Sequence, residues 1–361
     1  MFKEDMSFEK VLAIKVDPKR IERVKNLIRF DIPDLSEEVK NFLIAQQLQF
    51  VNIQYARFMA GVKFTPRDVD AILEGAIDCH AHGGSDPFDR LMLEDEICFD
   101  YSRAKMRAVV FKTWFTPSVS RIPIVQKYLD RWAEEKGLQP VKIFGGITLN
   151  SSVGGLNPDA VKRCLGFPGF QYVWMPMVDS YHHRRVVYDD WSGAGIHILD
   201  ERGRVVPPLK EILKICADHD LIVGSGHYPY SDTKVLMEEA KRMGVKRMEI
   251  IHPAHIHSKT LILEMKEAAA EGIKLMLSGL GTTAFPLHET GPVYAVRMIK
   301  EVGADHFVYG SDYGQIHNPT HLVGTEWTIK LLLAYGATQE ELKKVFQTVP
   351  ARHLKLEERA G

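Results

Sequence analysis

The stretch Ala76-Ile-Asp-Cys-His-Ala-His-Gly-Gly84 alternates polar and apolar residues, so its period of two predicts a β-strand. On a regular strand Asp78, His80 and His82 share one face, while Ile77, Cys79 and Ala81 point the other way into an apolar layer. Two imidazoles at i and i+2 can both reach one divalent cation at about 2.0–2.1 Å per Zn–N bond. One face therefore offers metal ligands and the other offers packing. His-x-His is common without a metal, so the reading depends on the rest of the chain.

Working outward, short β-branched runs alternate with amphipathic helices from about residue 74 onward, the pattern of a parallel sheet wound with crossover helices. Eight strands are predicted: Ala76–His82, Arg107–Lys112, Val141–Ile147, Tyr172–Pro176, Leu221–His227, Arg247–His252, Lys274–Gly279 and His306–Asp312. Helices are expected over Leu93–Met106, Ile122–Lys136, from Pro158, over Pro208–His219, over Asp232–Met243 behind a Ser231 cap, over Leu261–Glu271, over Val293–Val302 and within His321–Tyr335. Another is expected from the Thr338-Gln-Glu-Glu341 capping box. Val178–Pro208 breaks the rhythm and reads as an inserted flap, with a hairpin around Glu201-Arg-Gly203.

The expected fold is α/β, a (β/α)8 TIM barrel over residues 71–361 with that hairpin inserted after strand four. No Gly-rich phosphate loop follows strand one, which counts against an open nucleotide-binding sheet. Residues 1–70 read as a helical N-terminal extension, with Ser36 as a cap and Phe42, Leu43, Leu48, Val51 and Tyr55 at near-helical spacing. Such an apolar extension suggests a packing or dimer element, and a homo-oligomer is expected.

Lys and Arg number 46 against 47 Asp and Glu, so no basic footprint suggests nucleic acid or an anionic membrane. Cys79, Cys98, Cys164 and Cys216 lie far apart without a Cys-x-x-Cys, which argues against a disulfide framework or a thiolate zinc site. Met1-Phe-Lys-Glu-Asp5 has no apolar signal core, and no apolar run approaches a membrane span, so a cytoplasmic protein is expected.

Catalytic groups of such a barrel project from the C-terminal strand ends. His80 and His82 end strand one, Lys112 strand two, His227 strand five, His252 strand six and Asp312 strand eight. As an ordered set, these residues resemble the amidohydrolase superfamily, metal-dependent hydrolases on a (β/α)8 barrel. The similarity covers residues 74–356, with Asp78-x-His80-x-His82, single histidines closing strands five and six, and Gly310-Ser311-Asp312. The ending Val349-Pro-Ala-Arg-His-Leu-Lys-Leu356 resembles the branch that includes metal-dependent decarboxylases. The resemblance implies that His80, His82 and Asp312 bind one metal. It implies that His227 and His252 bind a second or, as in mononuclear members, hold the first metal and the substrate.

Lys112 departs from the commonest pattern, in which a carboxylated lysine comes from strand four; here strand four offers none. Its alternatives are a carboxylated bridge between two metals, a substrate-binding ammonium or a structural ion pair. One or two divalent cations per chain are expected, zinc first, with manganese or iron also suited to imidazole and carboxylate ligands. Asp312 would orient the attacking water, take its proton and pass it to the leaving group. Arg184 or Arg185 could clamp a carboxylate, and Tyr228 could line the pocket; solvation and packing are the plainer readings. His255 and His257 form a second His-x-His in the loop beyond strand six, where His252 ranks first as the ligand.

The leading expectation is a hydrolase of an amide, lactone or related carbonyl bond in a small molecule. A decarboxylase or hydratase is the alternative within enzymes, and a non-catalytic ligand-binding barrel the alternative outside them.

Overall fold

The computed structural model describes residues 64–283, 291–316 and 318–356. The helical extension expected over residues 1–70 falls, up to residue 63, outside them, as does the Ser36 cap. Eight strands, β1 Ile77–Ala81, β2 Ala108–Phe111, β3 Lys142–Thr148, β4 Phe170–Trp174, β5 Ile222–Gly224, β6 Arg247–Ile250, β7 Lys274–Ser278 and β8 Phe307–Gly310, pair in chain order and in parallel. Helices between them make the outer layer of a (β/α)8 barrel. No helix among the described residues is long and apolar enough to cross a membrane.

Alternation along the strands divides the apolar residues into two layers. Ile77, Cys79, Val110, Phe144, Tyr172, Trp174, Ile222, Met276 and Val308 fill the barrel interior. Val109, Phe111, Ile143, Val173, Val223, Leu275 and Phe307 pack outward against the helices. All four cysteines are free and buried.

At β1 the regular alternation fails, and the face expected for Asp78 needs correction. Asp78 pairs with Val109 but Ala81 pairs with Phe111, so Cys79 and His80 together stand opposite Val110. This is a β-bulge, which gives one strand an extra residue and re-aims the side chains beyond it. Asp78 consequently faces the helix layer, where its Oδ2 accepts a hydrogen bond from the Tyr101 hydroxyl at 2.7 Å. His80 turns inward with its ring 6.0 Å from that of Trp174. Ile77 and Cys79 belong to the interior rather than to the layer that takes Ala81.

The bulge sits at the seam where β8 returns to β1. There the Asp78 carboxylate takes the place of a strand carbonyl: its Oδ1 accepts from Ser311 N–H at 2.8 Å and from His80 N–H at 3.0 Å. Asp312 N–H then donates to the His80 carbonyl at 2.7 Å, and His82 N–H donates to the Tyr313 carbonyl at 3.0 Å. These bonds close the barrel and carry the two ends of the site with them.

Below His80 the barrel has an aromatic floor. Trp174 stacks on Tyr172 at 4.8 Å, and the Tyr172 hydroxyl donates to the buried Glu249 carboxylate at 2.7 Å. The indole fits because β3 and β5 present glycines to it. A Cβ on Gly146 would lie 2.6 Å from Trp174 Cζ3, and one on Gly224 would lie 2.3 Å from Trp174 Cδ1. Val349, Ala351 and Leu354 from the C-terminal segment close the lower end.

Two connections differ from expectation. The helix expected behind a Ser231 cap begins earlier, at Tyr230, because the Pro229 carbonyl accepts from Asp232 N–H and Thr233 N–H. The segment after β4 is partly helical: Ser180 caps a helix over Tyr181–Val187, and the hairpin is reduced to a Leu199–Val205 bridge. The Thr338 capping box forms as expected.

The seam gives the first prediction. Asp78→Ala strips the acceptor from three buried donors and should cost about 3 kcal/mol or more in a denaturant titration. Asp78→Asn, which keeps one acceptor oxygen, should cost less.

Candidate metal centre

The strand ends bring the sequence-predicted residues into two adjoining groups. In the first, His80 Nε2 and His82 Nε2 lie 3.6 and 3.1 Å from Asp312 Oδ1. Lys112 joins this group, its Nζ 3.2 Å from His80 Nε2. The second group contains His183, His227 and His257, each offering one nitrogen within 4.8 Å of the others. His252 stands between them, its ring 6.1 Å from His80 and 5.1 Å from His227.

His183 and His257 were not among the residues expected to bind metal. His183 occupies the third position of the helix that Ser180 caps, a helix hidden in a stretch with no apolar period. The cap itself, a serine three residues before the histidine, was the available signal. His257 lies in the turn after β6 and entered the sequence reading only as part of the loop His-x-His, where His252 ranked above His255 as the ligand.

The backbone is held in uncommon conformations at the first group and at His252. His252 and Asp312 have φ of 25° and 56°, left-handed values that non-glycine residues adopt at a cost of order 1–3 kcal/mol. For Asp312 the short bond to the His80 carbonyl sustains that conformation.

Electrostatics suit the histidines to ligation. Burial, as the largest cause, pushes His80, His82, His227 and His252 well below the usual imidazole range. The Lys112 charge adds to the effect at His80, Arg90 at His82, His257 at His227 and His255 at His252. Their rings are thus neutral at neutral pH, the form that binds metal. The buried Nδ1 atoms of His80 and His252 have no hydrogen-bond partner among the described residues. The convergent donor set of His80, His82 and Asp312 fits a divalent cation.

Lys112 is buried, and desolvation brings its amine down to about 7. Among the described residues no carboxylate lies within ion-pairing distance of it, which leaves the structural ion pair without a partner. Arg90, absent from the expected set, is a second cation beside the site. It pairs with Asp86 at 2.6 Å and places Nη2 3.4 Å from His82 Nδ1.

The residues expected to read the substrate are otherwise engaged. Arg184 pairs with Asp190 at 2.7 Å, and the exposed Arg185 lies 4.0 Å over the Trp191 ring. Tyr228 is buried and donates its hydroxyl to the Ile196 carbonyl at 2.7 Å. A cavity of about 490 Å³ lies away from this chemistry, lined by Tyr230, Met237, Met248, Ile250 and Ile273 on the outer side of β6.

Fold and strand-end residues together define a (β/α)8 barrel with a histidine-rich mouth at the C-terminal strand ends. Residues 75–276 match the model of a family of unknown function, DUF6282, and the chain belongs to that family. Among solved structures, it is similar to an amidohydrolase from Pseudomonas aeruginosa, at 15% identity over 81% of this chain and 98% of that one, with a TM-score of 0.54. A lactonase from Listeria monocytogenes matches at 14% identity over 80% and 97% of the two chains, with a TM-score of 0.53. A candidate 2-pyrone-4,6-dicarboxylic acid hydrolase from Pseudomonas putida matches at 14% identity over 79% and 99%, with a TM-score of 0.51. At these identities the likeness is one of fold. No curated protein matches the sequence.

The depressed Lys112 amine predicts a pH dependence. A lysine whose folded pKa is about 7 against an ordinary 10.5 binds fewer protons when folded across that window. Stability of the metal-free protein relative to Lys112→Met should therefore rise as pH increases from 7 to about 10. Thermal melts of both proteins across that range check the sign; a difference that stays flat would place the amine outside the barrel.

Proposed function

We propose that this protein is a metal-dependent hydrolase of a small-molecule carbonyl bond, a lactone or related ester or amide. The observation that carries the reading is the meeting of His80, His82 and Asp312 at the C-terminal strand ends, with Lys112 against them and further histidines alongside. The lactonase and the candidate pyrone hydrolase share the barrel and make a cyclic ester the first substrate to try.

His80, His82 and Asp312 would hold the cation, with zinc the first candidate for such a donor set. A divalent cation at such a site lowers the pKa of water to about 7 and polarises a carbonyl. Asp312 accepts the proton of the attacking water through the carboxylate that faces His80 and His82, and returns it to the leaving group. Its backbone bond to the His80 carbonyl keeps that carboxylate aimed at the substrate side of the seam. Neutral Lys112 can accept carbon dioxide as a carbamate, or in its protonated form hold an anionic substrate group. Trp174 and Tyr172 keep water out from below.

A second reading, decarboxylation, is favoured by the two cations Lys112 and Arg90 beside His80 and His82, which suit an acidic substrate. Release of carbon dioxide from aromatic or unsaturated acids, without lactone opening, would select it.

Elemental analysis of protein purified without chelator should find bound divalent metal, reduced in a His80→Ala, His82→Ala double variant. Asp312→Asn should keep much of the metal and lose at least about 100-fold in lactone turnover, the lower range for loss of a general base. Full activity of Asp312→Asn would remove its assigned role, and absence of metal even after reconstitution with zinc or manganese would remove the mechanism.

A further inference from the structure

We propose that the outer face of the helix His321–Ala334 is a docking surface, and that its occupant is this chain's own N-terminal segment, residues 1–63. The inference concerns the outside of the barrel wall and stands independently of the hydrolase reading.

This helix is built inside out. Its inner face is polar: His321 Nε2 donates to the His82 carbonyl at 3.0 Å, the Thr325 hydroxyl lies 2.9 Å from that of Tyr309, and the Thr328 hydroxyl donates to the Gly324 carbonyl at 2.8 Å. Its outer face is apolar. Val323 and Trp327, one turn apart, are 41% and 51% exposed, and Leu331 is half-buried a turn further on. Apart from His321, its only ionisable side chains are Glu326 and Lys330, which pair with each other at 3.0 Å. Other helices of the outer layer turn charge to water, as in Lys214–Asp218, Arg242–Glu239 and Arg297–Glu301. A helix that is apolar on its outer side as well is the kind found covered all round.

The chain itself points to the cover. Phe64, where the described residues begin, leads into the helix Pro66–Leu73, whose Asp68 accepts a hydrogen bond from Gln339, just past the end of His321–Ala334. Residues 1–63 therefore join the barrel beside the C-terminal end of the apolar strip. The nine steps from Tyr55 to Phe64 reach up to about 30 Å when extended, and the strip from Val323 to Leu331 is about 12 Å long. Leu48, Val51 and Tyr55 recur at i, i+3 and i+7, the spacing of one apolar helical face. So short a tether gives the segment an effective concentration of order millimolar, which favours it over a second copy. The three solved structures are covered over 97–99% of their length by 79–81% of this chain, so this chain carries length that the shared barrel does not use. Laid on Trp327, the segment would press the helix onto the β8–β1 seam, where His321 holds the His82 carbonyl.

The test is acrylamide quenching of Trp327 in the full-length protein, taken as the difference between each protein and its Trp327→Phe counterpart. Trp327 should be shielded in wild type. In Leu48→Glu with Val51→Glu its quenching should rise several-fold and its emission shift to the red, with the barrel's melting transition retained. Leu48→Gln with Val51→Thr, a milder pair, repeats the measurement if the first variant loses that transition. Shielding that persists on dilution in a monomer supports the proposal. Equal quenching of Trp327 in wild type and in these variants would overturn it. So would shielding that disappears on dilution together with a dimer in sedimentation velocity, which would give the face to a second copy.

Discussion

The arrangement depends on a carboxylate that touches no candidate ligand atom. Asp78 accepts two backbone N–H groups and a tyrosine hydroxyl at the one seam where the barrel must close on itself. A buried carboxylate is costly unless its lone pairs are satisfied, and three donors satisfy this one. In return it fixes the distance between β1 and β8. His80, His82 and Asp312 are brought together by that closure, since they come from opposite ends of the sheet's strand order.

The β-bulge follows from the same constraint. With strict alternation, a residue two places before His80 would share its face, and Asp78 would add a carboxylate inside the barrel. One extra residue in β1 separates the two roles: the carboxylate ties the wall from outside, and both imidazoles turn inward. Burial then keeps these rings neutral, and the same burial brings Lys112 down to about 7. The low-dielectric setting thus prepares three side chains at once, without a dedicated partner for each.

Much of this was legible in the sequence, for identifiable reasons. All eight strands follow from short β-branched runs between amphipathic helices, and the strand ends picked out His80, His82, Lys112, His227, His252 and Asp312. The bulge was not legible, because it depends on how β1 registers with β2 rather than on the residues of β1 alone. His183 was missed because its helix follows a serine cap without any apolar period to announce it. His257 was underrated because a turn, unlike a strand, gives no rule for where its side chains point. Local periodicity reveals regular elements, whereas the second histidine group is assembled by loops.

The glycines at 146 and 224 set a dimension. They leave room for the Trp174 indole to lie flat on Tyr172, so the depth of the chamber above it is fixed by the absence of two methyl groups. A side chain at either position would collide with the indole. A molecule entering from the open end meets a flat aromatic wall at a set distance from the imidazoles, which makes the chamber a gauge of how far a planar substrate can descend.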